Sequence, residues 1–298
     1  MSKNLPVLFG LYPVLLSGIA LIWLLRLRDR SWPNWAVWVL ACGSIIAFVF
    51  MTGPWVFTSY YLRYILTALF ALTAVFSYCR MKCGSPYSRR HDNRISVASV
   101  LIFLLFALLN TLAIASYYPS GKTLDATFPL RSGAYYVLQG GASIVTNPFH
   151  ALAGNKLAID IVKLSLLGNQ ADNLAPRVLS NYQIFGEKLY SPCQGAILKV
   201  RDSLPDNPPG NPDTNHPEGN YIVLQCLMGD ILMAHLRRGS IEVAPGDTVA
   251  TGQLLAEIGN SGNTLEPHLH IEARNDGKPI WLIFNGRSLS INSLITRK

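Results

Sequence analysis

The sequence predicts a bundle of four membrane-spanning helices followed by a mainly antiparallel β domain. Half of the 298 residues are hydrophobic and only 14% are charged, whereas soluble domains carry roughly 25% charged residues. This imbalance is concentrated in the first 118 residues. In the rest of the chain, short β-branched and aromatic runs alternate with glycine, proline, asparagine and aspartate, a pattern typical of antiparallel β domains.

Four apolar segments of the first 118 residues reach the ~20 residues needed to cross a membrane. Three are uncharged runs, and the fourth spans only if it begins near residue 58, with Arg63 reaching the interface among Tyr60, Tyr61 and Tyr64. A signal peptide does not fit, because its apolar core is only about 7 to 15 residues long and further apolar runs follow here. The predicted spans are 5–25, 35–55, 58–79 and 95–118.

The loops between these spans predict the orientation, because short loops rich in lysine and arginine stay in the cytoplasm. The second loop carries only Arg63. The first and third loops carry eight basic residues, namely Arg26, Arg28, Arg30, Arg80, Lys82, Arg89, Arg90 and Arg94. Both basic loops are therefore predicted inside, and everything after Tyr118 outside. These loops also account for the net charge of +8 without a nucleic-acid partner.

Residues 119–298 have the length of one domain. Between Asp202 and Gly219 the chain is too rich in proline, asparagine and aspartate for regular structure, so we expect a long surface loop. The predicted strands are Ala134–Leu138, Ala158–Val162, Gly195–Val200, Tyr221–Leu224, Ile231–His235, Leu254–Ile258 and Leu269–Ala273.

Histidine and aspartate interrupt several of these apolar strands. In "PHLHIEA", His268 and His270 lie two residues apart, so both side chains leave the same face of a strand about 7 Å apart. His235 ends another strand in "MAHLRRG". Asp160 lies inside "LAIDIV", where a carboxylate is costly unless it is hydrogen-bonded or bound to a cation. Each signal alone is typical of an ordinary residue, but together they indicate one site.

These segments resemble the lysostaphin-like, or LytM-type, zinc endopeptidases, which cut peptide bridges of bacterial peptidoglycan. The resemblance covers residues 133–285. It rests on "IDIV", "YSPCQGAILKV", "GNYIVL", "AHLRRGSIEVAPGDTVATGQLLAEIGNSGNT" and "PHLHIEA". It implies that Asp160 and His270 bind zinc, that His235 and His268 assist the chemistry in roles left open, and that peptidoglycan peptides are the substrate.

Such a site makes chemical sense for peptide hydrolysis. A zinc ion with three protein ligands leaves a position for water, lowers the pKa of that water toward about 7 and polarises the scissile carbonyl. One histidine can take the water proton while the other stabilises the oxyanion or protonates the leaving amine. The resemblance also implies a multi-pass protein of the bacterial inner membrane, with its C-terminal domain in the periplasm or an equivalent space.

The sequence departs from the family at the first zinc ligand. The family has a histidine four residues before the aspartate, and this position is Lys156, whose ammonium has no lone pair to donate. Two interpretations stay open. The domain is degenerate, and binds peptidoglycan or regulates a partner cell-wall hydrolase without cutting. Alternatively another histidine replaces the ligand: His150, if a hairpin closing at 153–155 sets it beside Asp160, or His216 in the long loop.

The segment "VAPGDTVATGQLLAEIG" also resembles the hairpin of biotinyl and lipoyl carrier domains, which are a rival class. Such a carrier needs a modifiable lysine at a tight turn, and none lies between Lys199 and Lys278.

Cys193 and Cys226 face the oxidising side, where they form either a disulfide or two buried thiols, depending on their Cα separation. The spans show no acid–base pair typical of a transport path, so anchoring is the expected role of the bundle.

Overall fold

The computed structural model of the protein describes residues 5–27, 31–83, 95–154 and 156–297. Several basic residues used to predict the orientation lie outside these residues, namely Arg28, Arg30, Arg89, Arg90 and Arg94. Asn155, in the expected turn between His150 and Asp160, also lies outside them.

Within the described residues, four N-terminal helices are long and apolar enough to span a membrane. They carry large apolar side chains on their outer surfaces, for example Leu15, Leu72 and Leu101, as expected where lipid replaces water. The helices are α1 (Leu5–Arg26), α2 (Trp32–Thr52), α3 (Leu62–Cys83) and α4 (Val97–Ala115).

The third helix begins four residues later than the sequence predicted. After Gly53 the chain forms a short 3₁₀ turn, Trp55–Phe57, before α3 starts. Arg63 lies among aromatic rings as expected, with its guanidinium 3.8 Å from the centroid of Phe50 and 5.1 Å from that of Tyr60. However, Arg63 is only 8% exposed, because the β domain covers this end of the bundle.

The rest of the chain forms the predicted, mainly antiparallel β domain, which confirms the fold class. All seven predicted strands are present, and residues 202–219 contain neither helix nor strand. The strands of the main sheet follow the order β13-β2-β3-β10-β7-β6-β5-β8. The elements are β1 (Thr123–Ala126), β2 (Gly133–Gln139), α5 (Pro148–Ala153), β3 (Ile159–Leu164), β4 (Lys188–Tyr190), β5 (Gly195–Arg201), β6 (Asn220–Cys226), β7 (Gly229–Leu236), β8 (Thr248–Val249), β9 (Leu254–Glu257), β10 (Leu269–Asn275), β11 (Lys278–Phe284), β12 (Arg287–Ser288) and β13 (Leu294–Arg297).

The two faces of the main sheet have different partners. Leu269 and Ile271 of β10 point into the main hydrophobic core of the β domain, so His270 between them points to the opposite face. On that opposite face, Tyr136 and Val162 pack against Val56 of the bundle. The bundle therefore covers the same face of the sheet that carries the candidate site.

Hydrogen bonds also join the bundle to the β domain. The amide of Tyr60 donates to the carbonyl of Gly168 over 2.7 Å, and the amide of Gln170 donates to the carbonyl of Val56 over 3.0 Å. The side chain of Asn292 donates to the carbonyls of Met51 and Gly53. The orientation of the β domain on the bundle is thus fixed by directional contacts as well as by apolar packing.

A disulfide joins Cys193 to Cys226, with their Cα atoms 6.1 Å apart. Of the two interpretations that the sequence left open, the structure has the bonded pair. Cys42 and Cys79 are free.

We expect Asn292→Ala to lower the free energy of unfolding by about 1 to 3 kcal/mol, because it removes the hydrogen bonds that join Asn292 to the carbonyl of Met51 and to the hydroxyl of Tyr136. Asn285→Ala is a matched control, since Asn285 also has a positive φ (53°, against 65° for Asn292) but is exposed. Denaturant titration of the full chain in detergent measures both. Because the Asn285 side chain accepts hydrogen bonds from Phe128 and Arg297 within the β domain, equal losses in the two variants would mean that the hydrogen bonds to the bundle add no further stability.

Candidate metal centre

Two histidines and one aspartate converge on the sheet face that the bundle covers. Asp160 Oδ1 lies 3.4 Å from His150 Nε2 and 3.1 Å from His270 Nδ1. All three residues are buried, and their ligand atoms lie within 4.8 Å of one another. Zinc bonded at about 2.0 to 2.1 Å in tetrahedral geometry keeps its ligand atoms roughly 3.3 to 3.4 Å apart. The two separations from Asp160 and the donor types therefore fit a zinc site.

The sheet register positions two of these side chains. Asp160 on β3 is the direct partner of His270 on β10, and their neighbours Ile159, Ile161 and Leu269 fill the core on the other face. Burial alone raises the pKa of Asp160, but the adjacent His150 and His268 outweigh it and hold the pKa of the carboxyl well below its usual value. Asp160 is therefore an ionised carboxylate that a cation can bind.

His150 approaches Asp160 on a helical turn, so the expected hairpin at 153–155 is wrong. Pro148 starts helix α5, where its missing amide is no loss, and Gly154 ends it with a φ of 88° that suits glycine. The side chain of Asn147 fixes the His150 ring, with 2.7 Å between its Oδ1 and His150 Nδ1. This contact leaves His150 Nε2 directed at Asp160.

Lys156 takes no part in the cluster. Its side chain is exposed, and its backbone carbonyl accepts a hydrogen bond from Asn147. His216, the other alternative for the missing ligand, is exposed and lies 2.8 Å from Asp213 in the long loop. Among the histidines considered for the missing ligand, the structure thus brings only His150 to Asp160.

His235 and His268 lie beside the cluster. Their ring centroids are 4.8 Å apart, and His268 Nε2 is 3.4 Å from Asp160 Oδ1. The Nδ1 atoms face the carbonyls of Ser261 and Glu266, each at 2.8 Å. Since a carbonyl only accepts, Nδ1 carries a proton in both rings, and in the neutral form of each ring Nε2 keeps its lone pair. Each histidine therefore offers a nitrogen that can take up a proton.

The backbone of His235 is strained, with a φ of 63°, which is uncommon for a residue with a Cβ. Its amide donates to the carbonyl of Glu218, and its carbonyl accepts from the amide of Gly259. Such strain costs of the order of 1 to 3 kcal/mol and persists where neighbouring structure enforces it. The long loop and the segment after β9 together hold His235 in place.

Burial and neighbouring charges move the pKa values of His235 and His268 in opposite directions. Burial lowers the pKa of His235 well below its usual value, and His268 and His270 add to this effect. Burial also opposes a charged His268, but the carboxylate of Asp160 outweighs it and raises the pKa of His268. Pairs with such divergent pKa values are typical of acid–base chemistry.

Two buried glutamates near the cluster were missed by the sequence reasoning. Glu272 lies two residues after His270 on the same strand face, so the alternation that identified the histidines also predicts it. Its Oε1 accepts a hydrogen bond of 2.7 Å from Arg274 Nε, and its Oε2 is 3.9 Å from His270 Nε2. Burial raises the pKa of Glu266 to about 7, although hydrogen bonding to Gln170 opposes the shift. No local sequence pattern marks Glu266.

These residues line a cleft of about 490 Å³ between the β domain and the outer end of the bundle. His150, Asp160, His235, His268 and His270 lie along one side. The bundle contributes Phe9, Tyr12, Thr52, Pro54 and Phe57. The sequence predicted an anchor separate from the site, because contacts between distant segments leave no local pattern.

Residues 184–281 match Peptidase family M23. The C-terminal region contains an M23 domain. Over 97 residues the chain is 32% identical to the peptidoglycan DD-endopeptidase ShyA of Vibrio cholerae. This alignment covers 32% of this chain and 19% of the relative. The chain thus spans about a fifth of the length of this curated relative. The match to the M23 family includes His235, His268 and His270 but not His150 or Asp160.

Solved structures similar to the M23 domain include a zinc-containing peptidase from Vibrio cholerae and the catalytic domain of lysostaphin from Staphylococcus simulans. The first is 22% identical, covers 51% of this chain and 37% of its own, and has a TM-score of 0.33. The second is 19% identical, covers 40% of this chain and 68% of its own, and has a TM-score of 0.27.

We expect His150→Ala to weaken zinc binding by about 100-fold or more, because it would remove one of the three candidate ligands, a larger change than the loss of an outer-shell contact. Lys156→Ala is the matched control and should bind zinc as the parent does. Competition with a chromophoric chelator, performed on the full chain in detergent, measures both affinities. Unchanged affinity in His150→Ala, or a loss in Lys156→Ala, would show that the ligand set is a different one.

Proposed function

We propose that the protein is a membrane-anchored zinc endopeptidase that hydrolyses peptide bonds of bacterial peptidoglycan. The observation that carries this proposal is the convergence of His150, Asp160 and His270 beside His235 and His268. The M23 match supports peptidase activity, and the relative ShyA is named for cutting peptidoglycan.

His150, Asp160 and His270 would hold the metal. When bound, zinc supplies a Lewis acid that polarises a carbonyl and acidifies water. The protein's own groups do the rest. His235 and His268 hold their Nδ1 protons on backbone carbonyls, so each presents Nε2 to receive a proton from the attacking water or to deliver one to the leaving amine.

The buried side chain of Glu272 lies beside His270, on the side of its ring that faces away from Asp160. It lies 3.9 Å from the ring nitrogen of His270 that faces away from Asp160, beyond a direct hydrogen bond. A negative charge at that distance makes the imidazole a stronger donor to a cation. Arg274 Nε donates a hydrogen bond of 2.7 Å to Glu272 Oε1 and compensates its charge.

The alternative, a degenerate domain that binds peptidoglycan or regulates a partner hydrolase, rests on Lys156 in place of the family's histidine. It predicts a domain without zinc. Because His150 supplies an imidazole from a different element at 3.4 Å from Asp160, the loss of one ligand is compensated. We therefore favour the enzyme.

We further propose that the protein lies in the bacterial inner membrane with the M23 domain in the periplasm or an equivalent space. The disulfide between Cys193 and Cys226 supports this location, because such bonds persist in oxidising compartments. The basic residues Arg80 and Lys82 lie in the last turn of α3, at the end predicted to be cytoplasmic.

Activity is tested with the zinc-loaded full chain and purified peptidoglycan, with new amino termini measured as the product. We expect His235→Ala and His268→Ala to lower the rate by about 100-fold or more, since each removes a group that moves a proton, while both keep their zinc. His216→Ala, which changes an exposed histidine outside the cleft, should cut at the parent rate. A parent chain that retains no zinc and cuts nothing would favour the non-catalytic alternative, and stoichiometric zinc without any hydrolysis would contradict the proposed enzyme.

Orientation is tested by thiol labelling in spheroplasts with a membrane-impermeant maleimide. Leu227→Cys places a thiol on an exposed turn of the M23 domain, while Cys79 is exposed near the end of α3. In a Cys83→Ser background, we expect Leu227→Cys to react in intact spheroplasts and Cys79 to react only after lysis, because the basic end of α3 faces the cytoplasm. Labelling of Cys79 in intact spheroplasts would reverse the proposed orientation.

A further inference from the structure

The first membrane helix forms part of the wall of the candidate active-site cleft. Phe9 and Tyr12 of α1 line the cleft. The ring of Phe9 lies 5.7 Å from the ring of Phe149, the residue directly before His150. The Tyr12 hydroxyl donates to the carbonyl of Thr52 at the outer end of α2. The bundle is therefore a component of the cleft as well as its anchor.

The position of these residues along α1 places the cleft at the membrane surface. The apolar run of α1 begins at Leu5. With a rise of about 1.5 Å per residue, Phe9 and Tyr12 lie roughly 6 to 11 Å inward of the outer end of that run. A peptide bound between them and the histidines would therefore lie near the boundary between the lipid headgroups and the acyl chains.

Exposed apolar side chains lie where the β domain meets the outer end of the bundle. In the turn after β3, Leu166 is 97% exposed and Leu167 is 74% exposed. The Leu167 carbonyl accepts from the Ser59 hydroxyl just before α3, so this turn lies at the outer end of the bundle. Leu152 of α5, two residues after the cleft residue His150, is 78% exposed. Exposed apolar groups beside membrane helices fit a lipid surface.

The cleft has few groups that could bind a phosphate. Arg274 is the one lysine or arginine among the described residues that line it, and its Nε already donates to Glu272 over 2.7 Å. The bundle side instead offers aromatic rings, those of Phe9, Tyr12 and Phe57. This chemistry suits a hydrocarbon chain next to a peptide.

We propose that the cleft takes a peptide tethered by a lipid chain to the outer leaflet of the same membrane. This inference rests on the proposed peptidase function and names its substrate class. Water adds across the amide, so that the C–N bond breaks, the hydroxyl joins the carbonyl carbon and the proton goes to the leaving amine. A short lipid tether raises the effective concentration of the peptide at the cleft.

The test compares one peptidoglycan peptide in several forms, with the full chain reconstituted in phosphatidylcholine vesicles. The amino terminus carries an acetyl group, a palmitoyl group, or a palmitoyl group on a long flexible spacer. We expect kcat/KM for the palmitoyl form to exceed that of the acetyl form by about 100-fold, and that of the spacer form to fall between them. A palmitoyl form cut no faster than the acetyl form, or more slowly than the spacer form, overturns the inference.

A fourth form, fused to an apolar membrane-spanning helix, identifies the anchor. If it is cut faster than the palmitoyl form, the occupant is a membrane protein and the lipid-tether proposal is wrong. The failure of the proposed function looks different, because then no form is cut although zinc is bound. If all forms are cut at one rate, the peptidase function stands and only this inference fails.

The role of the flanking leucines has its own control within the chain. β3 and β7 both pair antiparallel with β10, so the turn after β3 and the turn before β7 lie at opposite ends of the strands. Leu227 in the latter turn is 98% exposed. We expect Leu166→Ser with Leu167→Ser to reduce the preference for the palmitoyl form by about tenfold, and Leu227→Ser to leave it unchanged. Equal effects of the two changes overturn the inference.

Discussion

The structure depends on stabilising the negative charge of one buried carboxylate, that of Asp160. Asp160 lies in a hydrophobic strand at the centre of the sheet, and an unpaired buried charge is very costly. Among the described residues, its ion-pair partners are the imidazoles of His150, His268 and His270, none of which is a permanent cation. The register of β3 against β10, the helical turn that carries His150 and the zinc that we propose all serve to stabilise this charge.

The anchor and the site share one face of the sheet. Tyr136, Val162 and Leu164 on that face pack against the bundle, and Asp160 and His270 lie further along it. The bundle thereby excludes water from the region next to the charged cluster, where electrostatic interactions are stronger than in water. In the membrane-spanning arrangement that we propose, the same contacts would fix the cleft at one depth relative to the membrane, and access to substrate would then depend on the whole chain rather than on the M23 domain alone.

Alternation along strands made much of this predictable. It placed His268 and His270 on one face of a strand, and Glu272, two residues after His270, follows the same period. On β3 the alternation places Asp160 on the face opposite to its apolar neighbours Ile159 and Ile161. The approach of His150 was not predictable in detail, because a helix of six residues contributes too little on its own to be recognised. The contact of Phe9 with Phe149 joins segments 140 residues apart in the numbering, and the Cys193–Cys226 bond depends on a Cα separation. Both are set by tertiary packing, on which the sequence pattern is silent.

The most direct test of this account is a structure of the zinc-loaded full chain, with anomalous scattering recorded at the zinc absorption edge. The account predicts one anomalous peak about 2.0 to 2.2 Å from His150, Asp160 and His270 together. A peak bonded to Asp160 and His270 without His150, or no peak in the cluster at saturating zinc, would contradict it.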